Sequence, residues 1–245
     1  MQWLLVLLVL LASACCGAAQ AAAPTMPTTP RTPFQARCED GMAQTVSILK
    51  STDHGYVVDN TQSYRALTAM RGAVQGGLSP RKVVLGLTKT ELRASVSIGG
   101  SLLTDRRSGY ECIAPHITVS LYYAQVVVYV GREFKPGTCA YKEVLAHEMR
   151  HLNTYRNHLP KVESVVRNAL ARRFEARPLY APVGQARALL EREIDVGWMP
   201  YMKQQMAAVE VQQAAIDSPA EYARLSKVCK GEVQSLIRPA RTTRK

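Results

Sequence analysis

The sequence predicts an α+β fold, with a β-rich amino-terminal half followed by a helical carboxy-terminal half. Three observations carry this expectation. Between Gln44 and Val130, short runs of β-branched and apolar residues alternate with Gly and Pro signals. From Ala140 onward, apolar residues recur at three- and four-residue spacing over long stretches. The helical half opens on His147-Glu148-Met149-Arg150-His151, in which the two histidines fall one turn apart on one helix face.

At the amino terminus, Trp3 to Leu11 is an unbroken apolar run, followed by small residues and by Ala19-Gln20-Ala21, an Ala-x-Ala cleavage pattern. The run is too short to span a bilayer stably, so residues 1–21 read as a cleaved signal peptide. A lipoprotein signal acylated at Cys15 or Cys16 is the rival reading. No other segment approaches the roughly 18 apolar residues that a span requires. The mature chain is expected to lack a transmembrane span and to be periplasmic or secreted. Residues 22–35 form a linker, since Pro24 to Pro33 holds four Pro and four Thr. One domain is expected over 36–237, and 238–245 is a basic tail.

Within the β-rich half, strands are expected over Gln44–Leu49, Arg81–Leu87, Leu92–Ile98, His116–Tyr122 and Gln125–Val130, with Gly99-Gly100 in a turn or bulge. Tyr64–Val74 reads as a short helix stopped by Gly76-Gly77. His54 and His116 stand without companions at ligand spacing and read as structural or exposed. In the helical half, Thr138 caps the first helix and Leu159-Pro160 ends or kinks it. A second helix should close near Arg177-Pro178, and Pro178, Pro182 and Gly184 make a loop. A third runs from about Gln185 to Ser218, kinked at Pro200, and a last begins at Pro219 and reaches about Lys230.

Loss of the leader leaves Cys38, Cys112, Cys139 and Cys229. An even number in an exported chain argues for two disulfides, with three pairings open. The expected arrangement joins Cys38 to Cys112 and Cys139 to Cys229. A four-cysteine metal site is disfavoured, because no two stand as Cys-x-x-Cys.

His-Glu-x-x-His on a helix lets both imidazoles reach one metal ion while the glutamate stands beside a bound water as general base. The stretch Val144-Leu145-Ala146-His147-Glu148 resembles the metal helix of zincin-type zinc metallopeptidases. Arg150 and Asn153 depart from the extended zincin pattern. More loosely, the whole layout resembles a group of exported bacterial zinc-dependent proteases. That layout is a leader, a β-rich half with cysteines, the Cys-x-x-x-x-Val-Leu-Ala-His-Glu helix, and later helices reaching Ile-Asp-Ser-Pro. The resemblance implies a zincin-like domain with Zn2+ held by His147 and His151 and with Glu148 as catalytic base.

Catalytic zinc takes three protein ligands. In zincins with a glutamate ligand, that residue sits on a later helix with an aspartate four residues on, in contact with a ligand histidine. Glu191-x-x-x-Asp195 matches this arrangement, so Glu191 is the expected third ligand and Asp195 its companion. Asp217 and His158 are the alternatives, and Glu163, Glu175, Glu193 and Glu210 stay open. His158 would lie about 10 Å beyond His151 on a continuous helix. Asp217-Ser218-Pro219 also reads as a helix start.

The formal net charge is +12. Such a field favours anionic envelope components or acidic peptides, while nucleic-acid motifs are absent. The expected activity is hydrolysis of peptide or protein substrates by an exported zinc metallopeptidase. A non-catalytic envelope binding protein of zincin-like fold is the alternative, and hydrolysis of another bond is a third possibility.

Overall fold

The computed structural model describes residues 31–41, 47–75, 83–175 and 177–237. The expected signal peptide and basic tail lie outside the described residues. The fold is α+β, with strands concentrated before the long helix and helices after it.

The chain enters through α1 (Pro33–Gly41), which the sequence did not announce. Its Phe34 and Cys38 pack on the sheet beside Cys112 and Ala114. Strands β1 (Ser47–Asp53) and β2 (Tyr56–Asp59) precede α2 (Tyr64–Gln75). Next come β3 (Gly86–Lys89), β4 (Leu92–Asp105), β5 (Tyr110–Tyr123) and β6 (Val126–Val130). One sheet has the order β1-β5-β4 and the other β2-β6-β3. Each strand of the first continues, after a short break, into a strand of the second. The breaks are bridged by Ala124 N–H to Glu91 O and Val126 N–H to Gly55 O. The six strands therefore run as three chain passes, each contributing one strand to each of the two sheets.

Alternation on β5 buries Ile117, Val119, Leu121 and Tyr123 on one face, as its period of two requires. Neither the turn nor the bulge expected at Gly99-Gly100 occurs, and both residues lie inside β4 opposite His116 and Pro115 in unbroken register. Gly100 has φ +133°, and a Cβ there would meet the Ala114 carbonyl oxygen at 1.8 Å. The glycine admits a close strand crossing instead of ending the strand.

Helix α3 (Cys139–Phe174) is a single element of 36 residues with Pro160 inside it, so the expected stop at Leu159-Pro160 does not occur. Proline in a helix interior costs about 3 kcal/mol. Pro160 is on the exposed side, while Leu159 just before it and Val162, Val166, Leu170 and Phe174 after it are buried. Each such burial contributes about 1.5–3 kcal/mol, which outweighs the proline. The first half of α3 lies over β6 through Leu152, Val126 and Val128. The second half packs on β1 and β5.

After α3 the expected loop instead contains β7 (Leu179–Pro182), paired with the start of β5. Buried Glu111 then accepts the Ala186 N–H at 2.8 Å, at the start of the next helix. That helix is α4 (Ala186–Glu193), followed by a π turn over Ile194–Trp198, then α5 (Met199–Ala207) and α6 (Val209–Ile216). The expected kink at Pro200 is thus a π turn immediately before it, with Met199 N–H reaching back five residues to Ile194 O. Helix α7 (Pro219–Lys227), a 3₁₀ turn over Val228–Gly231 and α8 (Glu232–Ile237) finish the described chain.

Two disulfides join Cys38 to Cys112 and Cys139 to Cys229. The second ties the start of α3 to the turn after α7. Among the described residues no helix is long and apolar enough to cross a membrane. The two bridges fit an oxidising compartment.

Candidate metal centre

Thr138 caps α3, its hydroxyl accepting the Tyr141 N–H at 3.2 Å. Further along the helix, His147, Glu148 and His151 are buried. The histidine Nε2 atoms stand 3.3 Å apart. Oδ1 of Asp217 lies 3.2 Å from Nε2 of His147 and 3.4 Å from Nε2 of His151. Donors about 2.0–2.1 Å from a tetrahedral ion lie about 3.3–3.4 Å apart, so three corners of such a site are in place.

The donor chemistry fits a cation. Nδ1 of His151 lies 2.5 Å from Oε1 of Gln213, and Gln213 returns a bond to the His151 carbonyl at 3.1 Å. Nδ1 of His147 lies 3.2 Å from Oε1 of Glu221 and 3.0 Å from Nη2 of Arg150, which ion-pairs with the same oxygen. With each Nδ1–H donated to an oxygen, both Nε2 lone pairs and one carboxylate oxygen converge on one point. His147, His151 and Asp217 could therefore hold a metal ion together.

Asp217 occupies the junction between α6 and α7. Ser218 is the N-cap of α7, its hydroxyl accepting the Glu221 N–H, with Pro219 in the first turn. The start signal read over 217–219 is real, but Ser218 does the capping and Asp217 turns inward. Burial alone would raise its carboxyl. In the metal-free protein, with protons on the facing Nε2 atoms, bonds from His147 and His151, together with the bond from Arg71, outweigh burial and hold it far below the ordinary carboxylate range.

Glu221 sits one turn further, ion-paired with Arg150 and Arg224, and Arg224 also reaches Glu143. Arg224 foremost, with Arg150 and His147, holds the Glu221 carboxyl at about 2 against the opposing effect of burial. Arg150, the departure from the zincin pattern, thus serves the residue that orients His147. The histidine side is also tuned. Burial would lower His151, but Asp217, Glu148 and Gln213 raise it above its ordinary value.

Glu148 points to β3. Its Oε2 and backbone carbonyl both lie within bonding distance of the Thr88 hydroxyl, at 2.9 and 3.0 Å. Burial pushes its carboxyl up, although both histidines and Thr88 act the other way. Gly86 gives it room: a Cβ there would stand 2.7 Å from Glu148 Cγ and Oε1.

β3 is an edge strand beside a cleft of about 620 Å³. Gly131 N–H bonds to Leu85 O, and Leu87 pairs with Tyr129. Antiparallel alternation therefore directs the backbone groups of Gly86 and Thr88 away from β6. Both residues line the cleft, as do Glu148, His151, Tyr155 and Asp217.

The expected third ligand, Glu191, is not at this site. It lies on α4, half exposed, 3.3 Å from Arg187. Asp195 is exposed on the π turn and does not support a histidine. The reason is packing. Helix α4 buries Ala186 and Leu190 and the π turn buries Ile194, which turns Glu191 and Asp195 outward. His158 is buried with Nε2 at 3.0 Å from the Gln205 carbonyl. Glu163 bonds Ser51 and Arg167, Glu193 bonds Arg173 and Trp198, and Glu210 accepts the Tyr155 hydroxyl at the cleft. His54 contacts the Tyr122 ring at a tilt, and His116 is exposed on β5.

The sequence reading missed Gln213, Glu221, Thr88, Arg71 and Tyr222. A usable signal existed for two of them. Val209, Gln213, Asp217, Glu221 and Leu225 recur every four residues, and Ser218-Pro219-Ala220-Glu221 has capping-box spacing. No protein-family model, curated protein or solved structure matches this chain.

Proposed function

We propose that the protein is an exported zinc-dependent metallopeptidase. The observation that carries this reading is the convergence of two imidazole Nε2 atoms and one Asp217 oxygen within 3.2–3.4 Å, beside the carboxylate of Glu148. His147, His151 and Asp217 would hold the ion, and nitrogen-plus-carboxylate donors suit zinc. When bound, zinc polarises a carbonyl and makes hydroxide available at neutral pH.

The chain's own groups do the rest. Glu148 accepts a proton from the attacking water and passes it to the leaving amine. Thr88 and Gly86 hold that carboxylate at the cleft wall. The edge of β3 aligns an extended peptide through backbone bonds, which orients an amide without demanding one sequence. The leader, the two disulfides and the zincin resemblance support export. The positive surface favours acidic substrates or anionic envelope components.

Elemental analysis beside a peptide-cleavage assay tests the reading. The expected result is about one zinc per chain and cleavage that Glu148→Gln reduces by roughly 10²-fold or more, with zinc retained. Zinc without cleavage of any peptide, and no effect of Glu148→Gln on any activity found, would favour the non-catalytic binding protein.

A further inference from the structure

The two oxygens of Asp217 have different neighbours. Oδ1 faces both histidine nitrogens and accepts the Tyr222 hydroxyl at 3.3 Å. Oδ2 is held by Nη2 of Arg71 at 2.5 Å. Arg71 comes from α2, 146 positions away in sequence. The Arg71 side chain is 18% exposed and that of Asp217 is 9% exposed, so little water competes for the pair. The guanidinium also contacts the Tyr222 hydroxyl, which closes a ring of three side chains from α2, α7 and the junction before it.

An ion pair enclosed in this way does more than neutralise charge. A guanidinium is planar and rigid, and it fixes the direction of the carboxylate it bonds. A carboxylate with both oxygens free can grip an ion bidentately. Here one oxygen is already committed.

We propose that Arg71 is a positioning residue of the centre, holding Oδ2 of Asp217 so that the carboxylate offers a single oxygen to the ion, with Tyr222 bracing it from the other side. The inference rests on the metal reading above. Its consequence is coordinative: two nitrogens and one oxygen leave a position open beside Glu148, as catalytic centres require. A second Asp217 oxygen on the ion would fill that position.

The test loads the full, disulfide-intact chain with Co2+ in place of zinc. Cobalt absorbs visible light strongly when four-coordinate and weakly with five or six ligands. Wild type should give the intense bands. R71M and R71Q should still bind cobalt but lose most of that intensity, and R71K, which keeps a cation on Oδ2, should retain it. Y222F should bind more weakly, by up to about 10-fold, with intensity unchanged. Circular dichroism checks the fold, and if R71M does not fold, R71Q decides. Wild-type bands in a folded R71M or R71Q would overturn the proposal, as would collapse of the bands in Y222F. A wild type that binds neither Co2+ nor zinc would overturn the metal reading itself, a result distinct from wild type and variants binding identically.

Discussion

Two stretches of the helical half carry an acidic pair four residues apart, Glu191 with Asp195 and Asp217 with Glu221. On spacing alone they are equivalent. In the fold they are opposites: the first pair faces solvent, and the second closes around His147. The difference lies in the neighbouring residues. On α4 and the π turn after it the inward stripe is Ala186, Leu190 and Ile194, and each acidic residue follows a buried one by a single position, about 100° around the helix. Across α6 and α7 the acidic residues are themselves members of the inward stripe, between buried Val209 and Gln213 and buried Leu225. An acidic pair becomes a candidate ligand when it occupies the positions where apolar residues would otherwise stand.

The sharpest way to break this comparison is to truncate one acid from each pair. Asp217→Ala should abolish stoichiometric metal binding. It should also destabilise the fold by about 3–5 kcal/mol, because the largely buried Arg71 loses its carboxylate counter-ion. Glu191→Ala should keep its metal and change stability by no more than about 0.5 kcal/mol. Elemental analysis and urea unfolding read both quantities. Metal retained in Asp217→Ala and lost in Glu191→Ala would reverse the assignment.

The second members of the pairs give a smaller contrast. Glu221 contacts Nδ1 of His147, and removal of such a partner typically costs 10–100-fold in metal affinity, on the order of 1.4–2.7 kcal/mol. Glu221→Gln should show that loss in competition with a chelator, while Asp195→Asn should bind like wild type. Equal affinities in all three proteins would show that Glu221 does not orient His147.

How much of this was legible depends on which interactions fix each element. The α+β division, the core of β5 and the cap at Thr138 follow from local periodicity and local hydrogen bonding, and so they could be read. His147, Glu148 and His151 were legible for the same reason, since their spacing is a property of one helix. Asp217 could be named but not chosen, because its orientation depends on Ser218 taking the cap and on α6 packing against α3. Arg71 and Thr88 were not legible at all. They reach the site from α2 and β3, far away in sequence, and nothing local marks either one. Pro160 misled for a related reason. The local rule ends a helix there, whereas tertiary burial on both sides of it keeps α3 continuous.

Acid titration sharpens the contrast further. The Glu221 carboxyl is held at about 2, mainly by Arg224, against an ordinary 4.5. Its folded-state value is depressed, so its stabilisation is fully present above about 4.5 and is lost as pH falls through about 2. The side chain is only 10% exposed, so solvent screening is partial. In chelator-treated protein, Glu221→Gln should be less stable than wild type by on the order of 2 kcal/mol at pH 6, and the gap should close by pH 2. Unfolding curves at several pH values measure it. A gap that persists unchanged at pH 2 would assign the loss to packing and not to charge.

The smallest effect belongs to the outer pair. Arg187 and Glu191 are 59% and 51% exposed and stand at i,i+4 on α4. Exposed pairs of this kind contribute about 0.3–0.5 kcal/mol, and salt screens them over about 3 Å at 1 M. Glu191→Gln should therefore cost at most that amount at low salt and nothing at 1 M salt, with metal content unchanged. The inner pairs are enclosed, so Asp217→Asn and Glu221→Gln should keep most of their effect at 1 M salt. A salt dependence for Asp217→Asn as steep as that of Glu191→Gln would mean that the junction between α6 and α7 is open to solvent, and the distinction between the two acidic pairs would then rest on proximity to the histidines alone.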